Sequence, residues 1–167
     1  LIWYRCVDIS GDDCNHDDIL QMPTSELTNY DIFYNWEEIT IDLLCNHENE
    51  IIAYVARKRI KIKDGKSIVA ENIFDNKLLR ITQILIKKLK YIGACNVQVF
   101  KKKNQYKFIE INPRIAAGGL PLSTELGINI PKLMIEYYFG LKKIKLKVPK
   151  RKIKMIKYYT EIFDEIR

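Results

Sequence analysis

Two short runs of alternating apolar and polar residues, 95–100 and 106–112, flank Lys103-Asn104-Gln105 and stop at Pro113. A period of two marks β-strands. A short polar gap between them marks a hairpin, and the proline closes the second strand. With the turn centred on Asn104, Gln98 faces Glu110 and Asn96 faces Asn112. One face of the hairpin then collects Asn96, Gln98, Glu110 and Asn112, with Phe100 and Phe108 further along it. The other carries Val97 and Val99 opposite Ile111 and Ile109, an apolar side for a core.

Strands and helices around this hairpin follow from the same patterns. Ile39, Ile41 and Leu43 alternate with Glu38, Thr40 and Asp42, which predicts a strand. Residues 46–50 read as a turn. Residues 51–63 read as a second strand, stopped by the turn dipeptide Asp64-Gly65, and residues 67–71 continue the sheet. Asp75 suits a helix N-cap. Leu78, Thr82, Leu85 and Leu89 follow at helical spacing, Lys87, Lys88 and Lys90 suit the dipole of the last turns, and Gly93 suits the C-terminal cap. Pro121 and Pro131 each open a short helix, and Gly140 ends the second. Two strands near 144–148 and 153–163 complete the chain. The expected fold class is α+β, an antiparallel β-sheet with packed helices.

The four polar residues on the hairpin all offer oxygen ligands. A hard cation such as Mg2+ takes one or two carboxylates and keeps phosphate and water for its other positions. One Glu among amides suits a metal–nucleotide complex better than an all-protein cage. A plain solvated face would carry the same residue types, and the loop beyond Asn112 tips the choice. Arg114 follows Pro113 directly and enters Ala116-Ala117-Gly118-Gly119. There its planar fork can hold phosphate oxygens beside the ligands.

Composition narrows the rest. A chain of 167 residues that is 47% apolar can bury a core as one domain, with residues 1–30 its least readable part. No apolar run is long enough to span a membrane. Four scattered cysteines, Cys6, Cys14, Cys45 and Cys95, form no disulfide framework and point to a reducing, cytoplasmic setting. Cys6, Cys14 and His16 have poor spacing for zinc. The acidic run 11–18 lacks the glycine and closing glutamate of a calcium loop. The net charge of +7 gathers toward residues 142–157. There Ile144, Leu146 and Val148 alternate with Lys145 and Lys147, the pattern of a strand with one wet face rather than of a nucleic-acid stripe.

Asn96-Val97-Gln98, the run 108–114 (Phe-Ile-Glu-Ile-Asn-Pro-Arg), Pro121-Leu122-Ser123 and Leu126-Gly127-Ile128-Asn129 together resemble the end of an ATP-grasp domain. The flavour is that of the carbamoyl phosphate synthase large subunit and related carboxylate–amine ligases. Upstream, residues 38–45 are similar to the strand after the adenine-contacting hinge, and Arg57-Lys58-Arg59 with Asp64-Gly65-Lys66-Ser67 resemble the hairpin after it. The resemblance covers residues 31–163. It implies ATP and Mg2+ (or Mn2+) as cofactors, with Glu110, Asn112 and Gln98 as metal ligands. It places Gln98, Asn112, Glu38 and Asp42 on the nucleotide, and Asn96 and Arg114 on phosphate or an acyl-phosphate intermediate as catalytic groups.

The departures from the family pattern carry expectations too. The hinge reads Asp31-Ile32-Phe33-Tyr34 where the pattern has Gln-Glu-Tyr. The glycine-rich loop and lysines of the companion lobe do not appear, and the chain opens on Leu1. Residues 1–30 are therefore expected to be irregular, and 31–167 to be the carboxy-terminal lobe of a longer enzyme. Its partners would be a small carboxylate, an amine and the remaining lobes, with room for a homodimer. The alternative is a non-catalytic module derived from that lobe, binding a protein or nucleic acid through its basic end.

Overall fold

A computed structural model describes residues 7–8, 35–63, 66–116 and 118–158. The Cys6, Cys14 and His16 set, the acidic run 11–18, the hinge 31–34, the Asp64-Gly65 turn and the chain beyond 158 lie outside the described residues.

Among the described residues seven strands form one sheet. They are β1 (Val7–Asp8), β2 (Glu37–Cys45), β3 (Ile51–Lys63), β4 (Lys66–Asn72), β5 (Gly93–Lys102), β6 (Gln105–Asn112) and β7 (Lys154–Ile156). Their order is β1-β6-β5-β2-β3-β4-β7, and every neighbouring pair is antiparallel. Three helices join it: α1 (Asn76–Leu89), α2 (Leu120–Glu125) and α3 (Ile130–Tyr138). The α+β architecture agrees with the sequence expectation.

The sheet buries two different faces. On one, Ile39, Ile41, Leu43, Tyr54, Ala56, Val97, Val99 and Phe108 pack against Leu78, Ile81 and Ile86 of α1. Each such apolar side chain contributes about 1.5–3 kcal/mol when fully buried. On the other, Leu44, Ala53 and Val55 pack against Ile130 and Leu133 of α3. That second apolar patch covers only part of its face. The rest, toward the β5–β6 strand end that leads to Pro113, is polar.

Local chemistry explains the helix ends, with one correction. The Asp75 carboxylate accepts the Leu78 N–H at 2.9 Å, as an N-cap should. Gly93, however, is not the C-cap of α1. Lys90 takes that place in the left-handed region, with φ 49°, and Gly93 begins β5. At α3, Gly140 adopts φ 69° after the last turn; its N–H reaches the Tyr137 carbonyl and the Leu141 N–H reaches Glu136. This pair of bonds closes the orphan carbonyls of the helix.

Three further expectations are corrected. The hairpin turn is the two-residue Lys103-Asn104 pair, and a bulge between Gln98 and Val99 takes up the extra residue of β6. Val99 therefore pairs with Phe108, which lies in the core under α1 rather than on the polar face. Residues 144–148 make a single parallel bridge, Ala53 to Lys147, instead of a strand. Of the 153–163 strand, 154–156 is strand among the described residues.

Candidate functional site

The bulge restores the register at the far end of the hairpin. Gln98 pairs with Glu110 and Asn96 with Asn112. Each row continues across the sheet: Gln98 meets Thr40, and Thr40 meets Arg57; Asn96 meets Asp42, and Asp42 meets Val55. Directly opposed residues share a face, so Glu110, Gln98, Thr40, Arg57, Asn112, Asn96 and Asp42 stand together.

This face has a closed end and an open end. At the closed end Asp42 is 2% exposed and Arg57 3%. Arg57 Nη1 donates to Asp42 Oδ2 at 2.9 Å, Ser123 Oγ of α2 donates to the same oxygen at 3.0 Å, and Asn96 Nδ2 donates to Oδ1 at 2.7 Å. Burial pushes the Asp42 carboxyl above the usual carboxylate range, and Arg57, Asn96 and Ser123 pull against that. Burial also lowers Arg57 against the pull of Asp42. Taking charges out of water is costly, and the shared hydrogen bonds are what make the pair tolerable there.

At the open end Gln98, Glu110 and Asn112 are half-buried. Asn112 Nδ2 donates to Glu110 Oε1 at 2.7 Å. A half-turn of that amide exchanges its nitrogen for its oxygen, so the same position can offer an oxygen ligand. The chain then turns: the Arg114 N–H reaches the Asn112 carbonyl at 2.7 Å, and the Arg114 side chain is exposed. Glu38 lies further along β2 and is ion-paired with Arg59, whose Nε donates to Ser67 Oγ at 3.2 Å. The structure thus gathers Gln98, Glu110 and Asn112 at one opening, encloses Asn96 and Asp42 behind them, and sets Glu38 and Arg114 at the flanks.

The donor set suits a hard cation that shares its shell with a ligand. It offers one carboxylate and two amide oxygens. Among the described residues no group of three or more His, Cys, Asp or Glu could hold a metal without such help.

Sequence reasoning missed Arg57 as part of this face and Ser123 of α2 as the group that closes on it. The signal for Arg57 was present: Arg57 and Arg59 stand two apart on a strand and so share a side. Their side is that of Thr40 and Asp42 only once β2 and β3 pair, as they do.

Residues 33–162 match the family model described as ATP-grasp in the biosynthetic pathway with Ter operon. The chain belongs to the ATP-grasp family. Its similarity to the carbamoyl phosphate synthase large chain of Thermoanaerobacter pseudethanolicus is 28% identity over 127 residues, 70% of this chain and 12% of that protein. For the same enzyme chain of Methanothermobacter thermautotrophicus it is 28% over 116 residues, 67% and 11%. Among solved structures, this ATP-grasp chain resembles the biotin carboxylase subunit of pyruvate carboxylase, with TM-score 0.56 and 22% identity over 68% of this chain and 27% of that one. It also resembles Campylobacter jejuni biotin carboxylase in its β,γ-ATP complex, with TM-score 0.51 and 21% identity over 67% and 28%. The chain thus spans about an eighth of the length of the curated relatives it matches.

Proposed function

We propose that this lobe is the metal- and phosphate-holding half of an ATP-dependent ligase that activates a carboxylate as an acyl phosphate for attack by an amine. The observation that carries the reading is the convergence of Gln98, Glu110 and Asn112 on one half-buried opening of an ATP-grasp sheet. Its setting would be the cytoplasm, and its partners the remaining lobes and two small-molecule substrates.

Gln98, Glu110 and Asn112 would hold Mg2+ or Mn2+. A divalent ion supplies charge neutralisation on the phosphates. Glu110 contributes the formal negative charge of the trio. Asn112, bonded to it at 2.7 Å, orients that carboxylate, and Gln98 is its partner across the hairpin. Arg114, exposed at the mouth, is free to swing its fork onto a transferring phosphoryl group or the acyl phosphate. Asn96, held by Asp42, is the cross-strand partner of Asn112. Glu38 lies toward the nucleotide edge.

Glu110→Gln in the full-length protein tests this. The change keeps size and hydrogen bonding but removes the charge. Phosphate release from Mg-ATP should fall by about a hundredfold or more, with the melting temperature unchanged. Undiminished phosphate release would refute the metal assignment.

A further inference from the structure

Arg57 lies where four parts of the fold meet. Its Nη1 is fixed by Asp42 of β2, and the same carboxylate is bonded to Asn96 of β5 and Ser123 of α2. The guanidinium plane is roofed by Gly119, in the loop between Arg114 and α2. A Cβ added at Gly119 would lie 1.9 Å from Arg57 Cζ, 2.2 Å from Nε and 2.3 Å from Nη2. Backbone therefore rests on the guanidinium at a distance that no other residue type permits. The neighbouring Gly118 carbonyl accepts Lys157 Nζ at 2.8 Å, which ties the roof from its outer side.

A buried ion pair is a poor source of stability, because desolvation offsets its attraction. Arg57 Nε, moreover, has no hydrogen-bond partner among the described residues, itself a cost. Such a pair is better suited to fixing one arrangement over others. The loop it supports is the one that carries Arg114 and follows Asn112.

We propose that Arg57 and Gly119 are a positioning pair: the guanidinium, pinned by Asp42, is the seat on which Gly119 rests, and through the loop it sets Arg114 relative to Glu110. This deepens the ligase reading and rests on it. Arg57 is not a catalytic residue; it acts through the loop.

The contact between the two residues supplies the test. In the full-length protein, Gly119→Ala forces the guanidinium off its seat. Arg57→Lys keeps the charge toward Asp42 but removes the flat surface. Ser123→Ala is a milder change that deletes one hydrogen bond to Asp42. Phosphate release from Mg-ATP should fall about tenfold in each of the first two and less in the third, as second-layer changes do. Affinity for Mn2+ with ADP, measured by calorimetry below each variant's melting transition, should stay within about threefold of the parent.

The double variant Gly119→Ala/Arg57→Lys should be no worse than the poorer single, because both changes break one contact. Multiplying effects, full activity in Gly119→Ala, or loss of Mn2+–ADP binding in all three variants would each overturn the proposal. Glu110→Gln in the same series separates the two readings. If it abolishes phosphate release while Gly119→Ala stays at the parent's level, only the positioning pair fails. If Glu110→Gln is fully active, the ligase reading fails and takes this proposal with it.

Discussion

The Asp75 carboxylate serves three donors. It caps α1 through Leu78 N–H, accepts the Tyr106 hydroxyl at 2.8 and 3.0 Å, and pairs with Lys101 Nζ at 2.6 Å. Burial alone would raise its pKa, but Lys101, the Leu78 N–H and Tyr106 together hold it below the usual carboxylate range. A carboxyl depressed in the folded state stabilises the fold above its unfolded pKa. That contribution is lost as pH falls through the folded value. Asp75→Ala should therefore cost about 2 kcal/mol at neutral pH, the sum of a cap and a charged hydrogen bond. The gap between parent and variant should close below about pH 4. Urea titrations of both proteins across that range check it, and a gap independent of pH would contradict the assignment. Asp75 was legible in the sequence because capping is local chemistry. So was the grouping of Gln98, Glu110 and Asn112, because period two needs only the hairpin. The burial of Asp42 and Arg57 was not legible, since it depends on β2 pairing with β3 and on α2 arriving from far along the chain.

Among elements, the end of α1 shows how a helix can stop without the residue best suited to stop it. Gly93 is three residues beyond Lys90, and the chain needs the left-handed turn at Lys90, where φ is 49° and ψ 41°. A side chain in that region costs about 1–2 kcal/mol relative to glycine's freedom. Lys90→Gly should raise stability by about 1 kcal/mol, seen as a melting temperature a few degrees higher, with Lys87 and Lys88 still present at the helix end. An unchanged or lower melting temperature would mean that the Lys90 side chain contributes more than its backbone costs. The hairpin carries a parallel lesson. Sequence pattern placed the Gln98–Glu110 and Asn96–Asn112 pairs correctly, yet the turn is one residue tighter than expected and a bulge compensates. Patterns report which face a residue takes, whereas bulges arise from twist and packing that no short window contains.

For the molecule as a whole, the asymmetry of the sheet faces is what makes a site. One face is closed by α1, and the other is closed by α3 only at one end. Strand order across seven strands was not readable from pattern alone, because β2 pairs with β5 across the intervening β3, β4 and α1. The consequence is that Gln98, Glu110 and Asn112 open onto solvent instead of a second wall. Under the proposed function, a nucleotide there would gain metal contacts on one side while its other phosphate oxygens stayed in water, where charge interactions are weak. Enclosure is what turns such contacts into affinity. These 167 residues by themselves should bind Mg-ATP with a Kd no tighter than about 1 mM. Joined to the remaining lobes that the proposed function calls for, the same residues should bind at least about tenfold more tightly. Calorimetric titration of both proteins with a non-hydrolysable ATP analogue and Mg2+ measures the difference. Equal micromolar affinity would show that this lobe contains a complete nucleotide site, and the open face would then need a covering segment from within these 167 residues.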